Sequence, residues 1–263
     1  VQHVAATGRE RRMLLSLSAA GIEAVVWALI LASGGKNQGV RDSAEASPIG
    51  HEVSLSDAEQ SVLLRSGFKG KIVWSSNRYG SHDLLMAEYP SGKIRRLTSS
   101  MFADTFPRFS PDGKCIAFSR SKLPWVSQRD PYKWDTYILD LQSGRETLVA
   151  TNVFMASWAP DGESLVYGRG DGKMVRQKAI PGAPEEVILE SGRGKVPAGF
   201  ELAQPSIGGI DSIAAATIRG SLYGTGVFDK DGSFRQFGSG CQITWQGANS
   251  ANVIWMDHPG KQK

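Results

Sequence analysis

One segment of this chain occurs twice. Phe109-Ser110-Pro111-Asp112-Gly113-Lys114 leads into Cys115-Ile116-Ala117-Phe118, and Trp158-Ala159-Pro160-Asp161-Gly162-Glu163 leads into Ser164-Leu165-Val166-Tyr167. Each copy has an aromatic residue, then Ser or Ala, then Pro-Asp-Gly, then a run that ends in a second aromatic nine residues after the first. The turn has a physical logic. Asp-Gly supplies the positive φ of a tight hairpin, and Pro fixes the backbone that leads into it. A degenerate copy from Ile207 to Ala216 keeps the spacing of nine, and another from Trp245 to Trp255 has ten. Upstream, Ile72-Val73-Trp74 matches the second strand of the same unit. The landmarks Trp74, Phe118, Tyr167, Ala216 and Trp255 lie 44, 49, 49 and 39 residues apart. A period of about 40 to 50 residues built from short strands is the mark of a β-propeller.

Outer strands follow each landmark. They are expected at 83–89 and 93–98 around Pro90-Ser91-Gly92, and at 135–141 and 145–150 around Gln142-Ser143-Gly144. Further pairs are expected at 173–180 and 185–190 around Pro181-Gly182, and at 222–229 and 233–238 around Asp231-Gly232. That makes four strands per unit. The apolar second strands read as packed between neighbouring blades, with Phe109, Phe118, Trp158 and Tyr167 buried between sheets. At about 45 residues per blade, 69–263 holds four blades and two strands of a fifth, at 241–245 and 252–257. The expected fold is an all-β, incomplete propeller of four-stranded blades whose next strand lies beyond Lys263. Such an open edge favours self-association.

Phe109-Ser110-Pro111-Asp112-Gly113-Lys114, with Ile116-Ala117-Phe118-Ser119 after it, resembles the WD40-like (PD40) repeat of the periplasmic TolB-like family. Trp158-Ala159-Pro160-Asp161-Gly162-Glu163 is a second match, and Ser76-Asn77-Arg78-Tyr79-Gly80 is similar to the family's Ser-x-Arg-x-Gly turn. The resemblance covers 69–257. It implies a propeller related to six-bladed rings. It implies much less about activity, because such repeats recur in translocation proteins, peptidase gating domains, lyases and sensor ectodomains.

The first quarter of the chain reads differently. Arg9, Arg11 and Arg12 precede a mostly apolar stretch at 13–33, and its 21 residues would span roughly 31 Å as a helix, enough for a bilayer core of about 30 Å. The basic flank predicts that the N-terminal side stays cytoplasmic and the remainder is exported. Glu23 opposes this at about 2.5–3.5 kcal/mol if ionised at mid-bilayer. Three readings stand: an uncleaved anchor, a signal peptide starting at Met13 with a small-residue exit at Ala32-Ser33-Gly34, and a buried soluble helix. The expected organisation is a basic flank at 1–12, the signal-anchor or signal peptide at 13–33, a linker at 34–53 and the propeller at 54–263. A short helix capped by Ser56-Asp57-Ala58-Glu59 opens the last segment. The expected location is extracytoplasmic, periplasmic or at the cell surface, and membrane-anchored or secreted.

Motifs for chemistry are sparse. The net charge of +4 gives no case for nucleic acid, and two cysteines exclude a disulfide scaffold or a four-cysteine zinc site. Gly70-Lys71 is followed by Ile72, so there is no phosphate-binding loop, and no Gly-x-Ser-x-Gly elbow occurs. Asp229-Lys230-Asp231-Gly232 lacks the later ligands of a calcium loop. Pro111, Asp112, Gly113, Pro160, Asp161 and Gly162 read as structural turn residues. His82 reads as a turn residue, Cys115 as inert core, and Cys241 as partly exposed. No catalytic residue, metal or cofactor is expected.

The most unusual stretch is the long loop at 121–134, which carries Trp125, Arg129, Tyr132, Lys133 and Trp134. Aromatics and Arg are enriched at binding hot spots, so these five are the candidate binding residues. The alternative is that the aromatics pin the loop to the blade rim. The function these readings favour is a non-catalytic exported propeller that binds a protein or polymer partner, with membrane contact through 13–33. The other reading is an ectodomain or accessory propeller of a larger peptidase, lyase, or membrane sensor or regulator, of which this chain is a fragment.

Overall fold

A computed structural model describes residues 2–6, 52–53, 57, 61, 65, 69–124, 126, 130–220, 223–246 and 249–256. The expected export helix at 13–33, nearly all of the linker, Trp125 and Arg129 lie outside the described residues. Among the described residues no helix is long and apolar enough to cross a membrane.

The elements are short strands. The first two are β1 (Gln2–Ala6) and β2 (Glu52–Val53). Then come β3 (Gly70–Tyr79), β4 (Ser81–Tyr89) and β5 (Lys93–Arg96), which form a sheet in the order β2-β5-β4-β3. The next sheet is β6 (Asp104–Phe109), β7 (Cys115–Ser121), β8 (Trp134–Asp140) and β9 (Glu146–Thr151) in sequence order. It is followed by β10 (Ser157–Trp158), β11 (Ser164–Arg169), β12 (Lys173–Lys178) and β13 (Glu185–Glu190), again in order. The fourth sheet is β14 (Phe200–Ser206), β15 (Ser212–Gly220), β16 (Gly224–Asp229) and β17 (Phe234–Gly238). The fifth holds β18 (Cys241–Trp245) and β19 (Asn252–Met256), with β1 on the far edge of β19. The landmarks Phe118, Tyr167, Ala216 and Trp255 fall on β7, β11, β15 and β19, the second strand of each unit, whereas Trp74 falls on β3, an edge strand of its sheet and not the second strand expected.

The repeated turn is built as its residues dictate. Gly113 and Gly162 take φ of 69° and 70°, which a side chain would strain. Asp112 Oδ1 accepts hydrogen bonds from Ser110 Oγ at 2.7 Å and Lys114 N at 3.1 Å. Asp161 Oδ1 accepts from the backbone N of Glu163 and Ser164, both at 3.0 Å. Burial raises the Asp161 carboxyl, but Arg176 at 2.7 Å and these donors outweigh it and hold it at about 2.

The chain divides into two compact units, one of Val1–Arg12, Arg108–Ser119 and Ser127–Lys263, the other of Met13–Pro107 and Arg120–Val126. In the first, the core lies between consecutive sheets. Leu165 and Tyr167 on β11 pack with Ala117, Ile138 and Val149 of the sheet before. Val166, between them, packs with Ala214, Ala216 and Phe228 of the sheet after. Successive strand residues point to opposite faces, so a strand covered on both sides must be apolar throughout. The same alternation puts Ala215 with Ile243, Val253 and Trp255.

In the second unit, Leu85, Ala87, Tyr89 and Ile94 form a smaller core with Ile72 and Trp74 against it. Two ion pairs are buried there. Asp104 takes Arg120 bidentately at 2.6 and 2.8 Å, and Asp83 Oδ2 accepts from Arg96 Nη2 at 2.7 Å. Asp83 Oδ1 is buried with no hydrogen-bond partner. Desolvation therefore outweighs the pull of Arg96 and lifts the Asp83 carboxyl to about 6.

The structure corrects the sequence reading at several points. Phe118 and Tyr167 are buried at 1% and 0% exposure, but Phe109 and Trp158 are only half-buried. The third strand of the fifth sheet comes from β1, not from beyond Lys263. β1 runs antiparallel to β19, with Gln2 opposite Met256 and Ala6 opposite Asn252. The open edge of β19 presents unpaired backbone groups, and an added strand satisfies them. Of the expected short helix, Asp57, Ser61 and Arg65 are described and are helical, with Arg65 Nε donating to Ser61 O at 3.1 Å.

An acid whose folded pKa lies above its unfolded value near 4 stabilises the fold only at low pH. The Asp83 contribution is present below about pH 4 and is lost as pH rises through about 6. The Asp83 carboxyl carbon is expected to titrate near 6 by NMR, and Asp83→Asn should flatten the pH dependence of stability across that window. A midpoint below 4 would show that Arg96 dominates.

Candidate functional site

The first strands of the units share a backbone distortion. Phe106, Met155, Gln204 and Gln242 have φ of 50°, 62°, 53° and 57°. Each lies three residues before Phe109, Trp158, Ile207 or Trp245. Positive φ is uncommon for residues other than glycine. At Gln204 and Gln242 it coincides with a β-bulge, seen as register shifts between Ala203 and Ser206 and between Cys241 and Thr244. A bulge re-aims the side chains that follow it.

Those side chains line one cavity. Arg108-Phe109, Ser157-Trp158, Ser206-Ile207 and Thr244-Trp245 surround a volume of about 410 Å³, together with Pro111, Ala159 and Pro160. The four pairs are the same two positions of the repeat. The walls are fixed by main-chain bonds: Trp158 Nε1 donates to Arg108 O at 3.1 Å, and Trp245 Nε1 to Ser206 O at 3.0 Å. Gly209 lies flat against the second indole, since a Cβ there would sit 2.1 Å from Trp245 Cζ2. Ser206 Oγ and Thr244 Oγ1 are 3.3 Å apart.

Arg108 is the charged member of this set. Burial pushes its guanidinium down from the ordinary value, although an arginine stays protonated. Among the described residues, no side-chain hydrogen bond or ion pair neutralises it. Among the described residues, no His, Cys or carboxylate lines the cavity. What the arrangement can do is bind: it offers two fixed indoles, a cation and hydroxyls. The sequence reading missed Arg108. The available signal was register, since Arg stands where the other copies carry Ser157, Ser206 and Thr244.

The residues singled out in the long loop divide. Trp134 is 1% exposed and packs on Phe154 with ring centroids 4.7 Å apart. It anchors the loop and offers no free ring, which corrects its place among the binding candidates. Tyr132 is 62% exposed, with its hydroxyl over Gly170, where a Cβ would lie 2.7 Å away. Lys133 is exposed, 3.3 Å from Asp130. None of the described loop residues lines the cavity. Cys115 and Cys241 are free thiols, and burial raises both. His82 is exposed, 3.1 Å from Ser75 Oγ. Among the described residues no group of three or more His, Cys, Asp or Glu could hold a metal ion. Trp134→Ala is expected to cost about 3–5 kcal/mol and Tyr132→Ala less than about 1 kcal/mol. Urea melts of the two variants check this.

No family model matches the chain. Over 125 residues it is 35% identical to Dipeptidyl-peptidase 5 of Porphyromonas gingivalis, covering 44% of this chain and 17% of that protein. The chain thus spans about a sixth of that relative's length. Among solved structures it is similar to the putative TolB of Agrobacterium tumefaciens at 15% identity, over 70% of this chain and 69% of that one, with a TM-score of 0.49. It is also similar to TolB from Acinetobacter baumannii at 16% identity, over 72% and 52%, with a TM-score of 0.48. The repeated Pro-Asp-Gly turn and the succession of small antiparallel sheets along the chain are those of a β-propeller fold.

Proposed function

We propose that this chain is a recognition propeller that binds a protein or polymer partner at the cavity and performs no chemistry of its own. The observation that supports it is the contrast between the two strand positions. The second strands share an apolar centre (Ile116-Ala117-Phe118, Leu165-Val166-Tyr167, Ala214-Ala215-Ala216), as packing requires. The lining positions differ from copy to copy: Arg, Ser, Ser and Thr at one, Phe, Trp, Ile and Trp at the other. Variation on a rigid, repeated frame is how a scaffold carries specificity. Trp and Arg also dominate binding hot spots. An extracytoplasmic location belongs to the same proposal, supported by the basic flank before the apolar residues 13–33.

A second reading is the accessory propeller of a larger peptidase. The identity to Dipeptidyl-peptidase 5 supports it. Under both readings the cavity is the point of contact.

Screening the full chain against arrayed peptides and oligosaccharides is expected to select a subset of probes. Trp158→Ala should weaken their binding about tenfold or more while the melt is kept. Binding unaffected by Trp158→Ala, or no selection at all, would sink the proposal. Release of product from a chromogenic dipeptide by this chain alone would overturn its non-catalytic part.

A further inference from the structure

We propose that the cavity is a carboxylate site, in which Arg108 takes the acid group and the indoles of Trp158 and Trp245 flank the body of the ligand. The inference rests on the recognition reading and deepens it. Its first support is how the protein treats its other enclosed arginines. Arg96 is paired with Asp83 at 2.7 Å and Arg120 with Asp104 at 2.6 Å. A guanidinium removed from water is costly unless an anion meets it. Arg108 is half-buried in the wall of a cavity, and among the described residues it has no such anion. The second support is register. Three of the four equivalent positions hold a hydroxyl, and packing there requires no charge, so the arginine is an addition at a place where the fold does not need one.

The chemistry of the ligand follows from what surrounds the cation. One guanidinium matches one planar carboxylate through two parallel N–H···O bonds. Among the described residues the cavity lining holds no second cation, so a phosphate dianion would keep an uncompensated charge. The indole N–H groups are committed to main-chain carbonyls, at 3.1 and 3.0 Å, which leaves their rings as apolar walls. Phe109 and Ile207 add to them. A volume of about 410 Å³ falls within the usual 300–1,000 Å³ of small-ligand sites. It accepts a small apolar acid or the last residue of a peptide ending in a free carboxylate.

Calorimetry on the full chain distinguishes these sources. Benzoate is expected to bind at least tenfold tighter than benzamide. The preference should vanish in Arg108→Gln and survive in part in Arg108→Lys. A matching preference for acetyl-Ala-Ala-Phe acid over its amide assigns the site to peptide C-termini, and a preference confined to benzoate assigns it to free acids. If Arg108→Gln does not fold, the comparison of acid with amide on the unaltered chain decides. Equal binding of acid and amide, both weakened by Trp158→Ala, would refute the carboxylate assignment and leave the recognition reading standing. A preference unchanged in Arg108→Gln also refutes it, and no binding of any probe at millimolar concentration removes both.

Discussion

A strand buried on both faces has no stable existence alone, and the rest of this protein is organised around meeting that need. β11 shows the constraint most plainly. Leu165 and Tyr167 require the sheet before it and Val166 requires the sheet after it. Each unit is therefore half of two cores. Side-chain size follows. Gly168, at the end of the same run, leaves only 2.1 Å between its Cβ position and Leu202 O, so any larger residue would drive the neighbouring strand away. β15 meets the same demand with three consecutive alanines, Ala214, Ala215 and Ala216, which let neighbours on both faces come close.

The second strands carry most of the packing, and the first strands divide between the cores and the cavity. Phe200, Leu202, Ile243 and Trp245 pack in the cores, and the positive-φ residues Met155, Gln204 and Gln242 stand just before residues that line the cavity. Trp158 is half-buried while Tyr167, nine residues later, is fully enclosed. The protein also handles charge in two ways. Asp104 and Arg120 form a closed, bidentate pair that serves the fold. Among the described residues Arg108 has no anion beside it, and the strands that hold it carry hydroxyls at the equivalent positions.

The strands and turns were legible in the sequence because they depend on local chemistry. The hairpin glycines, the apolar second strands and their spacing place β7, β8, β11, β12, β15 and β16 to within a few residues. The half-burial of Phe109 and Trp158 escapes a period-two pattern, which does not reveal the positive φ three residues before each. The residues that adopt it, Phe106, Met155, Gln204 and Gln242, have no single side-chain type in common. Arg108 was overlooked because the repeat was read for what its copies share, and a binding residue is where they differ. Trp134 looked like a contact residue because its composition resembles one. Its place at the first position of β8, against Phe154, is a tertiary fact.

The pairing of β1 with β19 sets a topological condition on how the chain meets a membrane. Gln2–Ala6 and Asn252–Met256 must share one compartment to form their ladder. A helix crossing a bilayer once between them, at 13–33, would put them on opposite sides. A signal peptide cut after that stretch would remove β1 altogether. The ladder and a single crossing or cleavage at 13–33 thus exclude each other. Without β1 the outer rim of β19 would stand bare, with backbone groups free to pair with one more extended segment.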